Sequence, residues 1–304
     1  MILDRLLTSP PPSTAWMLDR ELAAGIRRDR RGQLHVAAEP VPDGAVQIGP
    51  VGLQVVDRDA LTAAVAAANE RLESAGRVAV VVPTAWIRMH LLAFDELPRR
   101  AAEIREVVLW RLKKLLPVNP AELRVSPMVQ PGDGRREVLC LTMLERAATS
   151  IETAFANAGA EVGYLGPRAL ALALAPGSGG RPRLVVQQES SFLSLVLVDG
   201  ATVRLVRTKP IAVHDDSWEH VERELRLVDD YMASELGVHD GYAVEVIADD
   251  AVQEDTLRTW WAGRSGVQVV PAWRPDETMP PGLGQRIGAA RLAPGQALVG
   301  GRAA

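Results

Sequence analysis

The sequence predicts an α/β protein in which one small plan, three strands, a helix and a fourth strand, occurs twice, with a small α+β subdomain between the copies. Three observations carry this reading. Short apolar runs at turn-like intervals fill residues 15–38 and again 183–208. Each set leads into a helical pattern and then a compact apolar run, Val78-Ala79-Val80-Val81-Val82 in one case and Ala243 to Ala248 in the other. The 304 residues are also twice the roughly 150 of a typical domain.

The first copy opens with Ala15 to Leu18, Leu22 to Ile26 and Leu34 to Ala38, separated by turns at Asp29-Arg30-Arg31-Gly32 and Pro40-Val41-Pro42-Asp43-Gly44. Asp57-Arg58-Asp59 gives an acidic first turn to an Ala-rich helix over Ala60 to Ser74, stopped by Gly76. The valine run that follows is apolar on both faces and predicts a central strand. In the insertion, Trp86 to Phe94 precedes a helix over Ala101 to Leu115 with an apolar stripe at Ile104, Val107, Val108, Leu112, Leu115 and Leu116. Strands near Leu123 to Val129 and Glu137 to Leu144, a helix over Ala147 to Ala158, and Val162 to Leu165 complete it.

The second copy has strands at Arg183 to Gln188 and Phe192 to Val198, and Asp199-Gly200 turns the chain into Thr202 to Thr208. Ser217 caps a helix whose apolar residues Trp218, Val221, Leu225, Val228, Met232 and Leu236 share one face, ended by Gly237. After the strand Ala243 to Ala248 come a short helix over Asp255 to Gly263, a strand over Val267 to Pro271 and a closing helix over Leu283 to Leu292. The copies start about 170 residues apart without obvious sequence identity, a period that suggests duplicated domains and not a solenoid.

Composition narrows the function. Hydrophobic residues make up 47% and charged residues 24%, which excludes intrinsic disorder. A formal charge of -4 leaves no electrostatic footprint for nucleic acid. The lone Cys140 excludes an intrachain disulfide and a cysteine-based metal site and fits a reducing, cytoplasmic setting. No basic and apolar leader opens the chain, and no apolar stretch approaches the ~20 residues of a membrane helix. His35, His90, His214, His220 and His239 are scattered, and there is no G-x-S-x-G elbow. The acid pairs Asp215-Asp216, Asp229-Asp230 and Asp249-Asp250 read as solvated faces and turn caps, since adjacent residues on a helix point about 100° apart. No G-x-x-x-x-G-K-[ST] or G-x-G-x-x-G loop is present, and Gly177-Ser178-Gly179-Gly180 reads as a linker. Of Trp260 and Trp261, one is expected to pack inward and the other to lie on the surface.

Arg77 to Thr84, Phe94-Asp95-Glu96-Leu97-Pro98 and Val108 to Pro117 together resemble the PilM family of actin-like type IV pilus assembly proteins, in the wider group that holds FtsA-like and GspL-like proteins. Gly163 to Leu172, Val198 to Ile211 and Val221 to Tyr231 are similar to the family's later segments, so the resemblance runs from about residue 14 to 294. It implies duplicated actin-like (ribonuclease H-like) subdomains: half 1 over 14–85, the inserted subdomain over 86–166, a return helix and linker over 167–180 and half 2 over 181–294, while the triple proline Pro10-Pro11-Pro12 and the small, glycine-rich end read as a flexible lead-in over 1–13 and a flexible tail over 295–304.

The resemblance also implies where nucleotide would bind, and there the sequence departs from it. The family's first phosphate loop, D-x-G, reads Asp19-Arg20-Glu21, so a carboxylate replaces the glycine that lets backbone approach phosphate. The second falls on Gln187, Gln188 and Glu189, and the adenosine loop, usually Gly-Gly, reads Asp249-Asp250 after Ala248. These changes predict a pseudo-ATPase with no cofactor, Mg-ATP included, and no metal. What the resemblance then implies is a non-enzymatic scaffold at the inner-membrane face of a type IV pilus or type II secretion platform. Its partner would be the cytoplasmic N-terminal tail of a PilN-like single-pass membrane protein, with pilus motor ATPase components as further candidates. The tail's groove, between half 1 and the insertion, is expected at Trp86, Arg88, Trp110, Leu116 and Val118. The competing readings are an active actin-like ATPase or switch, and a GspL-type cytoplasmic secretion domain.

Overall fold

The computed structural model describes residues 12–49, 52–74, 76–131, 136–175, 180–189, 191–211, 217–239, 241–270, 294, 295 and 298. The chain begins with an antiparallel meander, β1 (Thr14–Leu18), β2 (Leu22–Arg28) and β3 (Leu34–Pro40). A small hairpin follows, β4 (Val46–Gly49) and β5 (Gly52–Val56). Gly52 sits at φ +102°, and a Cβ there would stand 2.6 Å from the Trp86 carbonyl oxygen, so only glycine fits this approach. Helix α1 (Arg58–Leu72) is capped by Asp57, whose carboxylate accepts the N–H groups of Asp59 and Ala60, both at 3.1 Å. It ends at Leu72, earlier than the expected Ser74, because Glu73 turns left-handed at φ 47°.

Strand β6 (Gly76–Val82) runs parallel to β1, and a 3-10 turn over Thr84–Trp86 leads into the insertion. This holds β7 (Arg88–Phe94), α2 (Ala101–Leu112), β8 (Leu123–Val129) and β9 (Arg136–Leu144), with sheet order β7-β9-β8 and α2 packed on β8. The insertion is shorter than the expected 86–166. Helix α3 (Glu145–Asn157) packs on α1, and β10 (Ala160–Pro167) pairs with β6 in parallel, so both belong to the first half. The periodicity alone could not separate them, because a strand's partner is not written in its own pattern.

Helix α4 (Arg168–Ala173) lies wholly inside and contacts β10 and β6 of the first half and β11 and β12 of the second. The second half repeats the plan with β11 (Arg183–Glu189), β12 (Phe192–Asp199), β13 (Thr202–Pro210), α5 (Ser217–Ser234), β14 (Ala243–Ala248), α6 (Ala251–Ala262) and β15 (Gln268–Val270). The orders are β10-β6-β1-β2-β3 and β13-β12-β11-β14-β15, each an antiparallel meander extended by two parallel strands. The expected strand-strand-strand-helix-strand unit is therefore present twice, each time with one more strand.

Each sheet buries both faces. Trp16, Leu18, Val78, Val80 and Val82 join α1, α3 and the insertion in one core, which also takes in Val185, Val196 and Val198 of the second sheet. The other face of the second sheet packs on α5 and α6 through Leu184, Val186, Leu195, Val246, Leu225 and Trp261. The other face of the first sheet is built of smaller residues, Ala15, Met17, Ala24, Ile26, Ala79 and Val81. Against it lie Leu298 and Gly295, both helical, Gly295 close enough to Met17 and Ile26 that a Cβ would clash. Gly295 is buried and not part of a loose tail. The closing helix expected over Leu283 to Leu292, the side chain of Ser217 and most of the lead-in lie outside the described residues.

Candidate functional site

Ligands of open α/β folds bind beyond the carboxyl ends of parallel strands. Five segments leave such ends at the boundary between the halves: Asp19 after β1, Thr84 after β6, Arg168 after β10, Gln187 to Glu189 ending β11, and Asp249 after β14. The stretches matched to the nucleotide loops are therefore brought together.

A side chain of the protein itself fills the middle. Arg168 opens α4 with its side chain only 3% exposed. Its Nη2 donates to Asp19 Oδ2 at 3.1 Å, and its Nη1 lies 3.5 Å from Glu189 Oε1. The other Asp19 oxygen accepts the N–H groups of Glu21 (2.9 Å) and Leu22 (2.8 Å), which closes the β1–β2 turn around the carboxylate. Glu189 Oε2 accepts the Thr84 N–H at 2.9 Å. Thr84 Oγ1 donates to Gln187 Oε1 at 3.1 Å and accepts the Ala169 N–H at 3.1 Å. Thr84 thus ties the first half to β11 and to the start of α4. Gly166 sets the approach to that start, since a Cβ there would fall 2.0 Å from the Tyr164 hydroxyl.

The charges answer one another. Burial pushes the Glu189 carboxyl up to about 7, against the downward pull of Arg168, and Asp249 adds to the rise. Burial opposes the charge on Arg168, but Glu189 and Asp19, helped by Asp249, raise its pKa on balance. Gln188 is buried, and its carbonyl accepts the Asp249 N–H at 3.1 Å. Glu21 is exposed at the turn. Asp250 caps α6 by accepting the N–H groups of Val252 (2.9 Å) and Gln253 (3.0 Å), as the turn-cap reading expects. Arg168, the buried cation of the cleft, is engaged by two carboxylates, while its Nε has no hydrogen-bond partner. Among the described residues no three His, Cys, Asp or Glu side chains gather around a metal position. Cys140 is buried in β9, and burial pushes its thiol up to about 12, away from nucleophilic chemistry.

The five residues expected to line a tail groove do not share one cavity. A cavity of about 110 Å³ separates the first half from the insertion, walled by Arg124, Ser126, Leu141 and Met143 of β8 and β9, Glu152 of α3 and Val162 of β10. Arg124 is clamped between Glu145 (Nη2 to Oε1 2.5 Å) and Glu152. Trp86, Arg88, Trp110, Leu116 and Val118 are not among its walls. Trp86 is fully buried and Leu116 nearly so, both in the main core, and Val118 is half-buried against it. Arg88 is exposed at the start of β7. Trp110 is 58% exposed: at 100° per residue it sits 200° from Val108 and Leu112, which face inward. Trp261 is buried and Trp260 half-buried, with Arg264 4.0 Å from its ring, as the expectation for that pair has it.

Arg168 was missed as a site residue, although its signal is in the sequence. It heads Ala169-Leu170-Ala171-Leu172-Ala173, a helix with no polar face, and a charge leading a buried helix must find partners.

No family model and no curated protein matches this sequence. Solved structures do. The chain is similar to one in a PilM-PilN type IV pilus biogenesis complex, with a TM-score of 0.73 and 16% identity, covering 95% of this chain and 97% of that one. It is similar to the cytoplasmic domain of EpsL, an inner-membrane component of the type II secretion system of Vibrio cholerae (TM-score 0.52, 10% identity, 95% of each chain). It is also similar to a Bacteroides thetaiotaomicron protein with an actin-like ATPase fold and unknown function (TM-score 0.53, 8% identity, 87% and 93%). The fold is therefore the duplicated actin-like one.

Proposed function

We propose that this chain is a non-enzymatic scaffold of an inner-membrane assembly platform of the type IV pilus or type II secretion kind, with no productive Mg-ATP binding. The observation that carries this reading is Arg168, buried between Asp19 and Glu189 where the resemblance puts the phosphates. A nucleotide would have to expel it and leave two carboxylates facing its own negative charge. The cleft then holds the halves in one arrangement without a ligand, which suits a scaffold.

In this reading the partner is the cytoplasmic tail of a PilN-like single-pass membrane protein, and the seat for it is the groove between the first half and the insertion. The PilM-PilN complex among the similar structures supports this choice. So does the lining: Leu141, Met143 and Val162 can take apolar side chains, while β8 and β10 are both edge strands able to pair with an extended segment. Among the described residues no helix is long and apolar enough to cross a membrane, so recruitment to the inner-membrane face would come through that partner.

Thermal unfolding with and without millimolar Mg-ATP tests the reading. A ligand at about 100 times its Kd stabilises a fold by roughly 2.7 kcal/mol, a visible shift. The expected result is no shift; a magnesium-dependent rise would return the chain to the ATPases. The partner is tested by titrating the tail peptide of a single-span protein encoded beside this chain. Val162→Asp, at a half-buried wall position, is expected to abolish binding.

A further inference from the structure

A second groove, of about 520 Å³, runs between β7 of the insertion and β13 of the second half, flanked by α5 and by Leu115 beyond α2. Leu92, Leu205 and Val228 form a buried floor. Its rim is apolar and open: Leu115 is 55% exposed, Leu227 49% and Tyr231 46%. Among the described residues seven large apolar side chains are this exposed, and three of them meet here from two separate segments. Contiguous exposure of that kind marks an interaction surface, where single exposed residues do not.

The charges say what kind of partner fits. The charged lining residues are Arg204 and Arg207. Arg207 is held by Glu224 at 2.6 Å, while Arg204 is exposed and has no ion-pair partner among the described residues. Lys113 and Lys114 precede Leu115, both exposed, and Lys114 lies 3.9 Å from the ring of Trp110. Of the acids on and beside α5, Glu224 is held by Arg207, Glu222 by Arg226 and Asp229 by Arg264, while Asp230 and Glu235 flank Tyr231. In a chain of net charge -4, the β13 and post-α2 sides of the groove are therefore basic, through Arg204, Lys113 and Lys114. Leu227 and Tyr231 stand four residues apart on α5, the ridge against which a second helix packs.

We infer that this groove docks an acidic amphipathic helix of a partner protein, its apolar face between β7 and β13 and its carboxylates on Arg204, Lys113 and Lys114. The site is separate from the tail groove and does not depend on the platform reading.

Two labelled synthetic helical peptides with the same leucine face test it, one with glutamate and one with lysine on the polar face. Each is titrated into the full chain by fluorescence anisotropy at low and high salt. The glutamate peptide is expected to bind, to weaken with salt, and to exceed the lysine peptide by at least about tenfold. Tyr231→Asp and Arg204→Glu should each weaken it by about tenfold or more, with the melting temperature unchanged because both side chains are exposed. Arg204→Glu should also move preference toward the lysine peptide. Equal binding of both peptides, binding of neither, or indifference to both substitutions overturns the inference. So does a wild-type dimer in light scattering that Tyr231→Asp dissolves, which would make a second copy the occupant.

Discussion

The cleft between the halves and the groove between β7 and β13 are both seams of the same fold, finished in opposite ways. The cleft is polar and closed: Asp19, Thr84, Arg168, Gln187 and Glu189 engage one another and leave Arg168 3% exposed. The groove is apolar and open, with Leu115, Leu227 and Tyr231 about half exposed. A seam that meets its own needs holds a structure together, and a seam that leaves apolar surface in water offers it to something else.

The sharpest way to break the contrast is Arg168→Met. It leaves two buried carboxylates unpaired and should cost about 3–5 kcal/mol, read as a lower urea midpoint. Adding Asp19→Asn and Glu189→Gln should recover most of that loss, because the burden is the unpaired charge. If Arg168→Met alone is neutral, the cluster does not hold the cleft.

Trp86→Ala should also cost about 3–5 kcal/mol, since the ring is fully buried, whereas Trp110→Ala should stay within about 0.5 kcal/mol. The pair shows how much of the site the sequence displayed. Trp86 and Trp110 look alike as letters, and only the neighbouring Val108 and Leu112 decide which way the second one points. The strands were legible because runs such as Val78 to Val82 and Ala243 to Ala248 admit few other readings. The hairpin of β4 and β5 was not, because strands of four and five residues with glycines at their joined ends carry little pattern. The three loop stretches could be read from the sequence as departures from the family's motifs. Arg168 meets Asp19 from a position 149 residues further on, and no local window contains both.

Acidity separates the two seams in sign. Glu189 has a folded pKa raised from 4.5 to about 7, so its favourable contribution is complete below 4.5 and is lost as pH rises through about 7. His90, in the groove lining, has its pKa lowered from 6.5 to about 4 by burial and then by Arg88. Its contribution is complete above 6.5 and is lost as pH falls through about 4. Stability measured from pH 4 to 8 should therefore lose its alkaline decline in Glu189→Gln and part of its acid decline in His90→Gln. The smallest expected change is at Asp250→Ala, about 1 kcal/mol for a lost helix cap, with no effect on the cleft cluster.

Gly295 and Leu298 cover Met17 and Ile26, so the last described residues complete the sheet that the first strand begins. On a ribosome adding about 5–20 residues each second, β1 waits for nearly the whole chain before that face is covered. The first half can pair its strands early and still show a greasy surface for many seconds. Newly made chains should therefore be clients of holding chaperones, and premature termination before residue 294 should yield a sticky product that is cleared and not a smaller working one.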